Sequence, residues 1–194
     1  MSTVIMHNVV SVDGFVADPH DEVGRLFDWY FGGDQALDEE GSLRVSRTSY
    51  DYVRPMWDSI GAMVIGRHLF DLTNGWEGRP PAGHDVVVVS HRPRPDGWHP
   101  EASYHFVDDV AEAVALAERL AGDDAIVAVA AGDVGGQAFA LGLVDEIAMD
   151  VAPVVLGAGK RYFGSVTGEH VLGDPHVVIQ GDRVLHLRYR DNET

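Results

Sequence analysis

The sequence contains no cysteine, so disulfide bonds, thiolate nucleophiles and zinc–thiolate sites are excluded. Basic residues are scarce: 14 Lys and Arg stand against 31 Asp and Glu, which gives a formal net charge of −17. A surface of this sign repels nucleic acid and anionic membranes, so we expect neither as a partner. Metal-helix and serine-hydrolase motifs are also missing, and the scattered histidines predict no metal site.

Long apolar runs are lacking as well. No run approaches the roughly 20 residues that cross a bilayer, and residues 1–8 show neither the basic nor the apolar region of a signal peptide. We therefore expect a cytoplasmic protein. The 194 residues, 45% of them hydrophobic, suffice for one domain with an ordinary core, and no linker or internal repeat divides them. The prediction is a single domain over residues 1–194.

Apolar segments alternate between strand-like and helix-like patterns. The predicted strands are 4–12, 62–65, 85–90, 106–107, 125–130, 144–151, 176–180 and 183–189, and the predicted helices are 43–58, 68–72, 108–120 and 133–141. Residues 18–42 are expected to form a long loop with a short helix, and Gly181-Asp182 predicts a closing hairpin. This order favours an α/β fold with a mostly parallel central sheet, flanked by helices and extended by an antiparallel hairpin.

Two predicted strands end in basic residues, in a chain that has few of them. Gly66–His68 follows one strand and Ser90–Arg94 follows another. Ligands of parallel sheets bind outside the carboxyl ends of the strands, where glycine permits close approach and a helix N-terminus attracts phosphate. We interpret the first segment as a pyrophosphate site and the second as a site for a terminal phosphate like that of NADP. The alternative for each is an exposed turn whose cations pair with the acidic surface.

A third strand end, Ala130-Ala131-Gly132, leads into a predicted helix that begins with small residues. Glycines at 132, 135 and 136 would let a pyrophosphate approach the helix N-terminus. The spacing matches neither the G-x-G-x-x-G fingerprint nor a Walker A loop. Taken alone, this segment is better interpreted as close helix–sheet packing.

In this order and spacing, the segments resemble the dihydrofolate reductase-like fold, and more narrowly the reductase domain of the riboflavin biosynthesis protein RibD and its stand-alone relatives. The resemblance covers nearly the whole chain. Its motifs are Ser11-Val12-Asp13-Gly14-Phe15-Val16-Ala17, Met63-Val64-Ile65-Gly66-Arg67-His68-Leu69-Phe70, the strand end at Ser90, Gly132-Asp133-Val134-Gly135-Gly136-Gln137, Leu143-Val144-Asp145-Glu146 and Pro153-Val154-Val155-Leu156-Gly157-Ala158-Gly159. Without cysteine the chain cannot carry the zinc site of the deaminase half, so it is not the bifunctional enzyme.

The resemblance implies an NADPH-dependent reductase and assigns cofactor contacts to individual positions. The pyrophosphate and ribose would contact residues of two segments, Gly66, Arg67, His68 and Leu69 on one side and Gly132, Asp133, Val134 and Gly135 on the other. The adenosine 2′-phosphate would be held by Ser90, His91 and Arg92, and the nicotinamide would lie by Ala17. Relatives of this kind are commonly homodimers.

The sequence departs from its relatives at two positions. Many relatives carry a run of glycines where this chain has Ala130-Ala131, and the two methyl groups are expected to point toward the cofactor and weaken its binding. Leu69 stands where dihydrofolate reductases usually have threonine, so one hydroxyl contact to phosphate is missing.

The resemblance places the substrate between the first strand, the 18–42 loop and residues 156–163. Asp28 is the predicted proton donor for hydride transfer to an imine, because its aromatic neighbours would raise its pKa. The alternative is a surface aspartate beside an aromatic core. Substrate contacts are predicted at five residues: Ser11, Asp13, Trp29, Gly157 and Arg161. The basic loop that contains Arg161 would hold a phosphoribosyl group, and its alternative interpretation is an exposed turn.

Three functions are consistent with these features. The first is NADPH-dependent reduction of a pteridine-like, ribosylaminopyrimidine or other small imine or carbonyl compound. The second is a true dihydrofolate reductase, although Leu69 and the glycine-rich segment 156–164 argue against it. The third is a non-catalytic nucleotide-binding protein on the same fold, which the Ala130-Ala131 replacement motivates.

Overall fold

The computed structural model describes residues 2–190, which form a layered α/β arrangement around one large sheet. The strands, in chain order, are β1 (Thr3–Ser11), β2 (Phe15–Ala17), β3 (Gln35–Ala36), β4 (Arg44–Val45), β5 (Ile60–Gly66), β6 (Asp85–Val89), β7 (Tyr104–Val107), β8 (Ile126–Ala130), β9 (Glu146–Ala152), β10 (Lys160–Arg161), β11 (Val177–Gly181) and β12 (Val184–Arg190). The helices are α1 (Arg47–Asp58), α2 (Arg67–Thr73), α3 (Val110–Ala121) and α4 (Asp133–Ala140), with 3₁₀ turns at Asp28–Tyr30 and Asn74–Gly78.

The eight-stranded sheet has the order β11-β12-β9-β1-β8-β5-β6-β7. All pairings from β9 to β7 are parallel, whereas β12 runs antiparallel to β9 and to β11. The predicted fold class, including the hairpin at one edge of the sheet, is therefore confirmed. The hairpin turn lies at Asp182-Arg183, one residue later than predicted, since Gly181 still pairs with Val184.

Helix boundaries follow capping signals in the sequence. The side chain of Asp109 accepts a hydrogen bond from Glu112 N at 2.8 Å, and Gly122 ends α3 with a φ of +81°. A side-chain oxygen at the N-cap satisfies a backbone donor that the helix itself cannot pair, and glycine tolerates a positive φ. The helix expected over 43–58 begins later, because Arg44–Val45 pairs with Gln35–Ala36 as a short ribbon.

Side-chain alternation along the strands separates three apolar clusters. The α3–α4 cluster covers one face of the sheet and includes Val10, Val64, Val87, Val114 and Phe139. Two clusters share the opposite face: the α1 cluster, which includes Val9, Trp29, Val53 and Val184, and the α2 cluster, which includes Ile65, Phe70, Val88 and Tyr104. Neighbours such as Val9 and Val10, or Val64 and Ile65, point to opposite faces, as strand geometry requires.

Among residues 2–190, no helix is long and apolar enough to cross a membrane. Within the same range, no group of three or more His, Asp or Glu side chains is arranged to hold a metal ion.

Candidate active site

The order of the sheet brings the three predicted phosphate-binding segments together. They follow β6, β5 and β8, which are adjacent, and β1 lies next to β8. With strands about 4.8 Å apart, the carboxyl ends of β6 and β1 are separated by about 14 Å. A Cβ atom on Gly66 would lie 3.1 Å from Val134 Cγ2, so the segments after β5 and β8 are in direct contact.

Arg67 contacts the loop after β6 rather than extending freely into solvent. Its Nη1 lies 3.3 Å from Ser90 Oγ and 3.1 Å from the Pro93 carbonyl oxygen, and its Nε donates to Asp71 at 2.7 Å. The guanidinium also lies 5.5 Å from the centre of the Phe70 ring. Arg67 therefore connects the first two predicted phosphate-binding segments, which supports placing both at one site.

Asp71 is a residue of this site that the sequence reasoning missed. Its Oδ1 accepts from Arg67 and its Oδ2 accepts from Arg92 Nη2 at 2.6 Å. Hydrogen bonding to Arg67 holds the pKa of Asp71 below its usual range, with a further contribution from Arg92. The available signal was the spacing of four residues between Arg67 and Asp71 on a predicted helix. A phosphate bound here would compete with this carboxylate for the two guanidinium groups.

His68 points away from Arg67 toward the loop that follows β2. Its Nε2 lies 2.9 Å from Asp21 Oδ1, which is also 3.6 Å from Lys160 Nζ. The hydrogen bond to His68 lowers the pKa of Asp21. His68 thus ties α2 to this loop, while Leu69 packs on the α2 cluster.

The basic residues of the loop after β6 lie in two environments: some are exposed to solvent, and one is hydrogen-bonded to backbone carbonyl groups. His91 and Arg92 are exposed, and Ser90 Oγ donates to the Arg92 carbonyl at 2.6 Å. Arg94, which the sequence grouped with them, instead donates to carbonyl oxygens of the following loop, including Trp98 at 3.2 Å and Ala102 at 3.2 Å. Arg94 is therefore a structural residue and is removed from the predicted phosphate site.

The glycines at the start of α4 have different roles. A Cβ on Gly132 would meet no atom within 4 Å, and its φ is +105°. A Cβ on Gly135 would lie 2.7 Å from the Ala130 carbonyl oxygen, and one on Gly136 would lie 2.2 Å from the Phe163 carbonyl oxygen. Gly135 and Gly136 permit close packing, whereas Gly132 leaves open space in front of a helix start that no side chain caps.

The two alanines before Gly132 do not both face the cofactor side, contrary to expectation. Ala130 packs against the α2 cluster, whereas Ala131 packs against the α3–α4 cluster on the opposite face of the sheet. The reason is strand alternation, which continues to the end of β8. At most one of the two methyl groups can lie beside a ligand at this strand end.

The end of β1 is fastened to the segment after β9 by Asp13. Its Oδ1 accepts from Ser11 Oγ at 2.6 Å and from Leu156 N at 3.1 Å, and its Oδ2 accepts from Gly157 N at 2.7 Å. Hydrogen bonding from Ser11 lowers the pKa of Asp13, and the two backbone donors contribute. Asp13 therefore positions Gly157, and Ser11, which is buried, positions Asp13.

Replacement of Asp13 by asparagine is expected to accelerate amide hydrogen exchange at Leu156 and Gly157, because the new amide NH₂ cannot accept the hydrogen bond from Gly157 N. Asp18 provides a matched control, since its carboxylate accepts from two backbone donors in its own turn, His20 N and Glu22 N. Asp18→Asn should leave exchange at Leu156 unchanged. If the Asp13 variant and the wild-type protein show the same exchange rates at these two amides, Asp13 does not hold the segment after β9.

Arg161 lies beside Asp13 and the segment that Asp13 holds. β10 pairs antiparallel with β2, so Lys160 is opposite Ala17 and Arg161 is opposite Phe15. Arg161, Asp13 and Phe15 line an open pocket of about 300 Å³. The arrangement gives a basic, exposed side chain at the end of β1, where a negatively charged group of a small molecule could be held.

Asp28 and Trp29 occupy environments other than the predicted ones. The Asp28 carboxylate is 35% exposed and forms an ion pair with Arg25 at 2.7 Å, so the aromatic residues do not enclose it. Trp29 is buried in the α1 cluster, with its ring centre 3.9 Å from that of Tyr30. Its indole Nε1 has no hydrogen-bond partner within residues 2–190.

Together, the sheet order and the loops at its carboxyl edge define a dihydrofolate reductase-like protein. The sequence model of the RibD C-terminal domain matches residues 2–177, and the chain belongs to that family. The family is one of reductases that use a nicotinamide cofactor, so the protein is an oxidoreductase.

Solved structures show the same fold at low sequence identity. A Shewanella sp. PV-4 protein assigned to riboflavin biosynthesis has a TM-score of 0.71 and 16% identity, with 100% of both chains covered. A pyrimidine reductase-like protein from Corynebacterium diphtheriae has a TM-score of 0.61 and 13% identity, covering 100% of this chain and 93% of the other.

The fold is also found within longer chains. A Thermotoga maritima diaminohydroxyphosphoribosylaminopyrimidine deaminase/5-amino-6-(5-phosphoribosylamino)uracil reductase has a TM-score of 0.58 and 14% identity, with 98% of this chain and 56% of the other covered. The present chain thus spans just over half the length of that protein. No curated protein sequence matches the chain.

Proposed function

We propose that the protein is an NADPH-dependent reductase of a ribosylaminopyrimidine or a related small imine. The observation that carries this proposal is the connection of three strand ends into one site, with Arg67 contacting Ser90 and Gly66 contacting Val134. Membership of the RibD C-terminal domain family supports the reaction class. The uracil reductase activity for which the Thermotoga maritima protein is named supports the substrate class.

The strand order supports an assignment of residues to parts of the cofactor. Ser90, His91 and Arg92 after β6 would hold the adenosine 2′-phosphate. The pyrophosphate and ribose would lie between Gly66–Leu69 and Gly132–Gly135. The nicotinamide end then reaches β1, near Ala17, because β1 is the next strand across the sheet. When bound, the cofactor supplies a hydride.

The substrate would lie at the end of β1. The exposed Arg161 carries a fixed positive charge beside the open pocket, which suits a phosphoribosyl group. Gly157, held by Asp13, offers backbone contacts at the rim, and Ser11 fixes that arrangement. Trp29, predicted as a substrate contact, is buried in the α1 cluster and is not among the residues that line this pocket, so we leave it out of the proposed substrate site. We further propose a single domain that acts in the cytoplasm as a homodimer.

Calorimetry with NADPH and NADH, followed by NADPH oxidation with 5-amino-6-(5-phosphoribosylamino)uracil and with dihydrofolate, tests the proposed function. We expect NADPH to bind more tightly than NADH and the ribosylaminopyrimidine to be reduced. Equal binding of the two cofactors, or binding of neither, contradicts the cofactor assignment. Turnover of dihydrofolate alone contradicts the substrate assignment.

Arg92→Gln is expected to weaken NADPH binding about tenfold and to leave NADH binding nearly unchanged. The reason is that a charged hydrogen bond to phosphate contributes about 1.5–3 kcal/mol, and only NADPH carries the 2′-phosphate. Arg119→Gln is the matched control, because Arg119 lies in the last turn of α3, before β8 begins. An equal loss of affinity for both cofactors would show that Arg92 supports the loop rather than binding the 2′-phosphate.

A further inference from the structure

A row of hydrogen-bonded polar side chains, which we call the buried chain, crosses the sheet. It lies in the half of the sheet that is farther from the predicted 2′-phosphate site. His7 Nε2 lies 2.9 Å from Asp150 Oδ2, His186 Nδ1 lies 2.6 Å from Asp150 Oδ1, and His186 Nε2 lies 2.9 Å from Ser49 Oγ. The four residues come from β1, β9, β12 and α1. Asp150, His186 and Ser49 are almost fully buried, whereas the His7 side chain is 18% exposed.

The hydrogen bonds assign donor or acceptor roles to three of the four ring nitrogens of His7 and His186. Burial alone would raise the pKa of Asp150, but the charge of His7 and hydrogen bonds from His186 and His7 lower it far below its usual range. Asp150 is therefore ionised and only accepts, so His7 Nε2 and His186 Nδ1 are both donors. Ser49 Oγ donates to His186 Nε2. Of the ring nitrogens of His7 and His186, His7 Nδ1 is the one without a hydrogen-bond partner among residues 2–190.

The surrounding groups do not offer Asp150 another charge partner. Tyr162, on the segment that follows β10, donates its hydroxyl to the carbonyl oxygens of Met6 and Ala148, and burial raises its pKa well above the usual range. Burial also raises the pKa of Tyr52, on α1, to about 12 and raises that of Tyr30 well above its usual range. These three phenols stay neutral at physiological pH.

A cluster of four ionisable residues lies at the amino-terminal end of β9. Glu146, the first residue of β9, forms an ion pair with Arg188 of β12. Arg190 and His176 lie 3.7 Å and 3.6 Å from Glu146. This cluster is internally paired, so His7 and His186 are the hydrogen-bond partners of Asp150.

His7 lies beside the proposed cofactor site. It pairs with Ala130 in the β1–β8 register, and its carbonyl oxygen accepts from Ala131 N at 3.3 Å, directly before Gly132. Val9 of the same strand belongs to the α1 cluster, while Ala130 packs on the α2 cluster. His7 thus stands between these two clusters, on the strand that the nicotinamide end would reach.

We propose that His7 is the proton donor of the reduction, and that Asp150, His186 and Ser49 are positioning residues that fix its ring. This inference rests on the proposed function. When the substrate carbon of a C=N bond receives a hydride with its electron pair, the π electrons of that bond pass to nitrogen. That nitrogen takes the proton from His7 Nδ1, which leaves His7 neutral, and solvent returns the proton at the exposed edge of the ring.

The kinetic test compares His7→Gln with the wild-type protein. The glutamine amide can still donate to Asp150, so the buried chain is kept, but it has no proton to give. We expect kcat to fall about 100-fold and KM to change little. His105→Gln is the matched control, because His105 forms a similar pair with Asp85 at 2.8 Å at the start of β6, away from the carboxyl ends of the strands.

Asp28→Asn separates the two candidate donors. If His7 is the donor, this variant keeps its kcat and its pH profile. If instead Asp28→Asn abolishes turnover while His7→Gln leaves kcat and the pH profile unchanged, His7 acts only in the packing of β1, and the inference is wrong.

Nitrogen-15 NMR of the histidine rings gives a measurement that needs no turnover. We expect neutral His7 to carry its proton on Nε2, and NADP⁺ to shift the His7 signals but not those of His105. An Nδ1–H tautomer, or His7 signals that do not move although calorimetry shows NADP⁺ bound, overturns the assignment of His7. Absence of NADP⁺ binding overturns the proposed function itself and the inference with it, so the two failures are distinguishable.

Discussion

Replacement of Asp150 by asparagine is expected to lower the free energy of unfolding by about 3–5 kcal/mol, the cost of breaking a buried ion pair by removing one partner. The carboxylate accepts from both His7 and His186. An asparagine offers one oxygen and one NH₂ group, so it cannot accept from both rings. One buried histidine must therefore change its protonated nitrogen or lose its partner.

Urea denaturation at neutral pH measures this effect. Asp85→Asn is the matched control, since Asp85 accepts from His105 in a more exposed pair. That variant should lose no more than about 1 kcal/mol. A loss of the same size in both variants would show that burial of the Asp150 chain adds nothing to its stability.

The Asp150 carboxylate is also expected to make the free energy of unfolding decrease as the pH falls into the acid range. The pKa of Asp150 is lower in the folded protein than in the unfolded chain, where it lies at about 3.9. Its contribution is therefore fully present above about pH 5 and is lost as the pH falls through and below about 4, because the unfolded state then binds the proton more readily. The stability of Asp150→Asn should depend less steeply on pH in this acid range. Parallel curves for the two proteins would contradict the shift.

Replacement of Gly136 by alanine is expected to destabilise the protein by about 1–3 kcal/mol, the usual cost of overpacking. The new Cβ would lie 2.2 Å from the carbonyl oxygen of Phe163, which is backbone and cannot turn aside. Helix α4 must then move away from the segment after β10. Because Gly132, the N-cap residue of α4, belongs to the proposed pyrophosphate site, the same shift should weaken NADPH binding.

Gly32→Ala is the matched control for this variant. A Cβ on Gly32 would meet only the Asp28 carbonyl oxygen, at 3.9 Å, which is ordinary contact. We expect its thermal midpoint and its NADPH affinity to remain near the wild-type values. If Gly136→Ala also keeps both, the close approach of α4 to Phe163 is not needed for the site.

The local elements could be predicted because their signals lie in short stretches of sequence. Four consecutive valines after Asp85 indicated a strand buried on both faces, and Asp109 with Gly122 marked the ends of α3. The alternation of strands and helices then gave the parallel sheet. The short pairing of β2 with β10 was missed, because two-residue strands carry no periodic signal.

The environment of Asp28 matches its alternative interpretation, a surface aspartate beside an aromatic core, for a related reason. Four aromatic residues surround it in sequence, yet Trp29 turns into the α1 cluster while the carboxylate faces Arg25. Adjacent side chains in a 3₁₀ turn point in different directions, so neighbours along the chain are not neighbours in space.

The sequence by itself determined the fold class and the family, since both depend on patterns of residues close together in the chain. It also predicted the segments that we propose bind phosphate. Only the tertiary structure decided how charges are paired. Asp71 pairs with Arg92 across 21 residues, and Asp150 pairs with His7 across 143 residues. Hydrogen bonds act over about 3 Å, and which distant groups come within that distance is set by strand order and register. For this reason the candidate proton donor at His7 became visible only in the folded protein.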